Sequence, residues 1–450
     1  MKIKNFTTMN IAALYQLYQQ HPVVTTDSRN CPTGSIFIAL KGENFNGNIY
    51  AKDALEKGAS IAIIDEVVGD LEDIQGLGII IKVKNTYNAL LDLAHYYRNK
   101  LGIKVIGVTG STGKTSTKDL VAAFLSNKYK VFKTKGNFNN EVGLPLMVFQ
   151  LDSTYDVAVL ELGMSDLGEI HKLAECSRPN IGLITNIGLS HLENLKTREN
   201  ILKAKMEITD FFTKDNVLIV NGEDEYLPNV KSDFYKLIKT GYDESFNFRA
   251  KDIELTDKET SFTVVSQEGE YRFNLPMVGA HNVLNALLGI AACRELNVSY
   301  EDMIKGLDNL EATSMRLQFI NKDKFTIIND CYNASPDSMK AALDVLGNTK
   351  GKRKIAILGN MNELGNESEK AHKEVGEYAT DKADILISTG EEKENYRIGF
   401  KKDSVKLYNT KEDLIEDLRN VIKEGDAIII KASRGVKFEE IVKALENLDI

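Results

Sequence analysis

Lys104-Val105-Ile106-Gly107-Val108-Thr109-Gly110-Ser111-Thr112-Gly113-Lys114-Thr115 is the stretch from which the rest of the chain can be read. Residues 104–108 have the near-continuous apolar character of a strand buried on both faces of a parallel sheet. Beyond the loop, Leu120, Val121, Phe124 and Leu125 fall on one face of a helix. A strand, a glycine-rich turn and a helix together make an anion cradle. The glycines let backbone N–H groups turn inward, and the helix N-terminus adds a favourable field. In such a cradle Gly110, Ser111, Thr112 and Gly113 wrap phosphates, Lys114 reaches the outer ones, and the Thr115 hydroxyl sits on a magnesium ion. The stretch therefore predicts ATP as a ligand. It is a short form of the pattern, because Val108 stands where G-x-x-x-x-G-K-[ST] has its first glycine.

Further buried strands are predicted at 156–160, 181–185 and 217–220, with helical patterns between most of them. This is the signature of a parallel α/β sheet. A β-rich excursion covers about 246–277, and a helix starts near Asn282 and runs to Cys293. Before the loop, short β-like runs (35–40, 61–65, 78–83) and one helical stretch (51–57) make a small α/β unit. After residue 314, strands at 325–329, 354–358, 383–388 and 427–430 alternate with helices, as in a Rossmann-like fold. The expected fold class is thus α/β in three domains: a small α/β domain (1–83), a central parallel-sheet P-loop domain (84–313) and a C-terminal Rossmann-like domain (314–450). A chain of 450 residues accommodates three domains of ~100–200 residues each.

The net charge of −9 argues against nonspecific binding to nucleic acid or an anionic membrane. No apolar run approaches the ~20 residues needed to span a bilayer, and the N-terminus lacks the apolar core of a signal peptide. The cysteines Cys31, Cys176, Cys293 and Cys331 form no CxxC pair. Buried free thiols in a reducing cytoplasm are expected. Nothing marks a subunit interface, so a monomer is expected.

In open α/β sheets, ligands collect beyond the carboxyl ends of the strands. Glu161 ends one predicted strand and is a candidate magnesium ligand, since that ion prefers carboxylate oxygens plus phosphates and water. A helix cap or a surface charge is the alternative. His191 follows the strand ending at Thr185-Asn186, and a structural histidine is equally compatible with its position. By spacing alone Lys205, in Ala204-Lys205-Met206-Glu207, is an ordinary solvated lysine.

Thr109 to Thr115, Glu161, His191, the Ala204-Lys205 pair and Gly279-Ala280-His281-Asn282-Val283-Leu284-Asn285-Ala286 together resemble the Mur ligases. These enzymes join amino acids or peptides to the nucleotide-linked precursor of bacterial peptidoglycan. The likeness covers nearly the whole chain. Further segments are similar to the branch that adds D-alanyl-D-alanine to UDP-N-acetylmuramoyl-tripeptide. They are Thr26 to Arg29 with Gly34 to Gly42, Lys135 to Pro145, Asp330 to Met339, Leu358 to Gly365 and Lys431 to Arg434.

The resemblance implies ATP and two magnesium ions, with Thr115, Glu161, His191 and Lys205 at the metal positions. Lys205 aligns with the lysine that carries a carbamate in this family, a change that would make it an anionic ligand. Asn282, with His281 beside it, falls at the adenine, and Arg316 faces the nucleotide. Asp330 and Asn333 match positions between nucleotide and substrate. Lys114, Lys205, His191, Asp330 and Asn333 are therefore the expected catalytic set, and Ser28, Arg29, Lys41, Asn139 and Asn140 the expected substrate contacts. Asn46-Gly47-Asn48 departs from the usual Asp-Gly-His, and Asn360, Ala432 and Ser335 are further departures.

The residues bear on three rival readings. A sister ligase adding a single amino acid would carry Asp-Asn-Pro-Arg, which is absent. Folylpolyglutamate synthase begins directly with its ATPase domain, whereas about 100 residues precede the loop here. A nucleotide-dependent switch is permitted by the loop alone, but Glu161, His191 and Lys205 would be surplus to it.

Overall fold

Lys104–Thr109 is a strand, buried at every position after its first lysine. Helix Lys114–Leu125 follows and buries both its apolar face and several polar side chains. The strand belongs to the second of three sheets in the computed structural model, which describes residues 4–5, 11–68, 76–311 and 315–450. The domain boundary expected between 313 and 314 lies outside the described residues.

The first sheet is five-stranded and all parallel, in the order Lys4–Asn5, Ile79–Lys82, Ile61–Ile64, Ile36–Ile38, Val24–Thr25. Helix Thr86–Leu101 leads out of it. The Asn85 side chain caps its first turn by accepting from Asn88 N at 2.8 Å, and Gly102, at φ +65°, ends it. Ala89, Leu90, Leu93 and Ala94 on this helix share one apolar core with Ile36 and Ile61 of the first sheet, Leu160 of the second and Leu144 on helix Gly143–Val148.

The second sheet has nine strands. Its order is Gly269–Leu275, Thr260–Ser266, Phe248–Leu255, Lys236–Gly241, Val217–Asn221, Ile181–Ile184, Lys104–Thr109, Val157–Glu161, Val131–Lys133. The excursion anticipated after residue 246 is no separate unit. Its three strands extend this sheet, with antiparallel pairing only at that margin. The central sheet is therefore parallel throughout its core, as expected, and the β-rich excursion supplies its antiparallel margin. Helix His281–Glu295 closes the core over these strands together with Phe124, Phe262 and Phe273.

The third sheet runs Gln318–Asn321, Thr326–Asn329, Asp426–Lys431, Arg353–Leu358, Ile385–Thr389, Val405–Tyr408, parallel except for its first strand. Apolar clusters cover both of its faces. Strands Val131–Lys133, Lys236–Gly241, Gln318–Asn321 and Val405–Tyr408 were not anticipated. All four carry exposed or half-buried polar side chains, so they lack the unbroken apolar run of the inner strands.

Register decides where the chemistry sits. Val108 pairs with Glu161 and Thr109 with Ile184. The phosphate-loop glycines, Glu161 and Thr185 therefore emerge at one level of one sheet edge. Across from them, Asn329 pairs with Ile430 and Leu358 with Lys431, which brings Asp330, Gly359 and Lys431 together at the end of the third sheet.

Candidate active site between the central and C-terminal sheets

The phosphate loop is braced from behind by the strand beside it. Ser111 N donates to Asn186 O at 3.0 Å, and Thr112 N to Asn186 Oδ1 at 2.9 Å. Thr185 Oγ1 donates to Thr112 O. Gly110, at φ +148°, leaves no room for a side chain, because a Cβ there would lie 1.8 Å from Thr185 Oγ1. Gly113, at φ +79°, is similarly crowded by Asn285. Lys114 Nζ folds back onto the loop, donating to Gly110 O at 2.7 Å. Burial lowers its pKa, opposed by Glu161 and reinforced by Arg316.

Glu161 is neither a helix cap nor a surface charge. It is 3% exposed. Thr115 Oγ1 donates to its Oε2 and Asn139 Nδ2 to its Oε1, both at 2.9 Å. Its backbone N–H donates to Thr134 Oγ1, and Lys118 Nζ donates to Thr134 O, each at 2.9 Å. Asn140 works locally: its Oδ1 accepts from Gly143 N at 2.8 Å.

Lys205 corrects the reading from spacing. It is 1% exposed and among the largest fully buried side chains. Its pKa is lowered well below the usual lysine value, by burial first and by the Lys114 charge second. Among the described residues its ammonium has no ion pair and no hydrogen bond. Burial without a counter-ion disfavours the charged form of an amine. It reaches this place because helix Arg198–Met206, capped by Thr197, turns Ile201, Ala204 and Lys205 inward together.

His191 sits in the left-handed region at φ +63° and opens the short helix Leu192–Leu195. Its Nδ1 lies 2.6 Å from Glu363 Oε2, a close approach outside the geometry of an aligned hydrogen bond. His191 shares a cavity of about 300 Å³ with Lys114, Thr115, Asn139, Asn140 and Glu161. The C-terminal domain closes that cavity with Arg316, Tyr332 and Asn333. The Arg316 guanidinium lies 4.1 Å from the Tyr332 ring centroid.

A second cleft of about 960 Å³ opens beside the first. Thr112, Gly113, His281, Asn282 and Asn285 line it from the central domain, Arg316 and Asp330 from the other side. Asn282 is fixed by donating to Val278 O at 2.8 Å. Burial lowers the His281 pKa. Asp330 is locked: its Oδ2 accepts from Lys431 Nζ at 2.6 Å, and its Oδ1 from Leu317 N at 3.1 Å. Asn333 is exposed, with its Oδ1 accepting from Ala334 N.

Ser28, Arg29 and Lys41 line neither cavity. Arg29 pairs with Asp27 at 2.9 Å and Lys41 with Glu66 at 2.9 Å, both exposed. Asn48, at a departure from the family pattern, is 2% exposed and bonded to Asn46 and Asp65. It is a satisfied structural residue.

Three segments match the Mur ligase family: residues 22–98 its catalytic-domain description, 108–293 its middle domain and 315–434 its glutamate ligase domain. Over 429 residues the chain is 41% identical to the UDP-N-acetylmuramoyl-tripeptide–D-alanyl-D-alanine ligase of Bacillus subtilis (strain 168), covering 94% of this chain and 92% of the relative. The chain belongs to the Mur ligase family. Among solved structures, this Mur ligase matches MurF from Acinetobacter baumannii with a TM-score of 0.89 and 30% identity, over 96% of this chain and 98% of that one. It also matches MurF from Thermotoga maritima in complex with ADP, with a TM-score of 0.85 and 28% identity, over 95% and 97%.

Sequence reasoning did not single out Thr134, Thr185, Asn186, Tyr332, Glu363 or Lys431 in the site of this Mur ligase. Thr185 and Asn186 had a signal, since they end the strand next to the phosphate loop. Tyr332, Glu363 and Lys431 lie in segments that carried the resemblance, but only the fold brings them, and Thr134, to the site.

Proposed function

We infer that this Mur ligase joins D-alanyl-D-alanine to UDP-N-acetylmuramoyl-tripeptide at the expense of ATP, in peptidoglycan synthesis. The observation that carries the reading is the small cavity. There a phosphate loop, the Thr115–Glu161 pair and His191 meet Tyr332 and Asn333 of another domain. A nucleotide cleft adjoins it, as an acid-activating ligase requires. The printed names of the relatives give the substrates. In the same reading, residues 1–83 hold the UDP end through Ser28, Arg29 and Lys41, residues 84–313 hold ATP, and residues 314–450 close over both. Among the described residues no helix is long and apolar enough to cross a membrane. In this reading the reaction runs in the cytoplasm, with its nucleotide-linked substrates, and the enzyme is a monomer.

A carboxylate does not react with an amine until one of its oxygens becomes a leaving group. The γ-phosphoryl of ATP forms a bond to an oxygen of the tripeptide's terminal carboxylate while its bond to ADP breaks. The amine of D-alanyl-D-alanine then attacks the activated carbonyl, and phosphate leaves as the amide forms. Such chemistry rests on positioning and charge neutralisation. The loop N–H groups and Lys114 hold the phosphates, Asn282 takes the adenine end, and Arg316, which lines both cavities, faces the nucleotide. Asp330, locked by Lys431, fixes the segment that presents Asn333 and Tyr332.

Thr115, Glu161, His191 and Lys205 are the residues that would hold Mg2+. Among the described residues no cluster of three or more His, Cys, Asp or Glu side chains forms a ready-made cage. That fits Mg2+, which binds through one or two carboxylates plus substrate phosphates and water. Bound there, it offsets the negative charge of the phosphates. Lys205 fits as an oxygen ligand once carboxylated. Its neutral amine forms an N–C bond to carbon dioxide and a proton passes to solvent, leaving a carbamate anion.

The test is phosphate release with UDP-N-acetylmuramoyl-tripeptide across a panel of amines. Turnover with D-alanyl-D-alanine and none with free single amino acids is expected. Phosphate release without either acceptor would favour the nucleotide switch instead.

A further inference from the structure

Glu363 enters the active site from the C-terminal domain, on a loop whose backbone is pinned at three points. The Tyr396 hydroxyl donates to Gly359 O at 2.9 Å. Met361 N donates to His372 Nε2 at 2.9 Å, and Asn362 N to Ser433 Oγ at 2.9 Å. The next residue, Leu364, is buried in the C-terminal core. Glu363 itself is held at φ +67°, a left-handed conformation that a non-glycine residue adopts only when its surroundings impose it.

The central-domain loop that meets it is equally constrained. Gly188 N donates to Ser111 Oγ of the phosphate loop at 2.9 Å. Leu189 packs against both the central and the C-terminal apolar cores. Glu193 N donates to Glu363 O at 3.0 Å across the interface. These contacts bring Glu363 Oε2 to 2.6 Å from Nδ1 of His191. The Nε2 of His191 has no hydrogen bond among the described residues, and the ring lines the small cavity.

We propose that Glu363 is a positioning residue: it occupies Nδ1 of His191 and so sets the ring to offer Nε2 to a divalent cation, but only while the C-terminal domain is docked on the phosphate-loop domain. The inference rests on the reading of His191 as a metal residue. Metal-binding histidines usually spend their second nitrogen on a carboxylate or carbonyl, which fixes ring orientation and tautomer. Here that carboxylate belongs to another domain. Completion of the metal site is thereby tied to domain docking, so nucleotide held by the undocked enzyme meets an incomplete site.

The test uses Mn2+ as probe, with binding read from the loss of the free-ion EPR signal in the presence of ATP and UDP-N-acetylmuramoyl-tripeptide. Ligation rate against free Mg2+ is followed in parallel. Glu363→Ala is expected to weaken Mn2+ binding roughly 10- to 100-fold and to raise the half-saturating Mg2+ by a similar factor. The KM for D-alanyl-D-alanine should stay at the wild-type value. Glu363→Gln, which keeps an oxygen acceptor, should restore most of the affinity. In a His191→Ala background, Glu363→Ala should add nothing. Wild-type Mn2+ affinity in Glu363→Ala, or its full loss recurring on top of His191→Ala, overturns the positioning role and leaves the metal reading intact. Wild-type Mn2+ affinity in His191→Ala removes the metal reading, and the proposal with it.

Discussion

Thr115 Oγ1 donates a 2.9 Å hydrogen bond to Glu161 Oε2, joining the first turn of the phosphate-loop helix to the end of the neighbouring strand. Both residues are buried, and Glu161 also accepts from Asn139. Glu161→Gln keeps the shape of this corner but removes its charge. It is expected to lower kcat/KM on the order of 100-fold or more with little change in melting temperature. Thr115→Ser should stay near wild type and Thr115→Ala should not. Steady-state kinetics with a thermal melt of each variant decides. Near-wild-type turnover in Glu161→Gln would show that the carboxylate charge is not needed.

Lys205 makes a separate prediction. A neutral amine with no partner is the form that adds carbon dioxide, so protein equilibrated with 13C-bicarbonate should give a carbamate carbonyl signal by NMR. Lys205→Ala should lack it. Loss of ligation in Lys205→Ala without any such signal in the wild type would mean that the amine acts unmodified.

The Gly110 position is set by close approach. A Cβ would stand 1.8 Å from Thr185 Oγ1 in a backbone conformation that side chains rarely adopt. Gly110→Ala must displace the loop, and a displacement of about 1 Å at a reacting phosphate costs ~100-fold in rate. The same drop should appear in ATP affinity by calorimetry, with the far-ultraviolet spectrum unchanged.

The Asp330–Lys431 pair is buried and 2.6 Å apart. Lys431→Met leaves the Asp330 carboxylate unpaired and is expected to destabilise the protein by about 3–5 kcal/mol. Asp330→Leu combined with Lys431→Met should recover much of that loss in a denaturant titration, though not activity. A single variant as stable as wild type would contradict the pairing.

His372 predicts a pH effect. It is fully buried, accepts from Met361 N through Nε2, and donates from Nδ1 to Ser368 O at 2.7 Å. Burial lowers its pKa, with the Ser368 carbonyl and Glu392 opposing. The unfolded chain protonates this histidine near its ordinary value of about 6.5, and the folded chain only at lower pH. In that window the unfolded state binds more protons. Stability is therefore fully present above pH ~6.5 and is lost as pH falls through the folded-state value. Melting temperatures between pH 8 and pH 5 should decline more steeply for wild type than for His372→Gln. Because His372 holds the loop that carries Glu363, the same decline should accompany weaker domain docking.

Local pattern was enough for much of this. The inner strands of all three sheets are apolar runs, and a run buried on both faces declares itself whatever lies beside it. The phosphate loop is similar: its glycines, Lys114 and Thr115 act within one turn of chain, so spacing alone describes them. The β-rich excursion was also visible, but not its pairing. Whether Phe248–Leu255 begins a new unit or extends the central sheet depends on Lys236–Gly241, an edge-like strand with mixed polarity.

The chain by itself determined an α/β protein with an ATP loop at the end of a buried strand, and resemblance extended that to a Mur ligase. Tertiary structure alone decided the state of its charged groups. Lys205 looks solvated in any window of sequence, because nothing local says that helix Arg198–Met206 turns that face inward. Asp330 looks like a free carboxylate until Lys431, 101 residues away, closes on it. Glu363 and His191 meet only because two domains dock. Desolvation and charge pairing are sums over neighbours in space, and in this protein those neighbours come from distant parts of the chain.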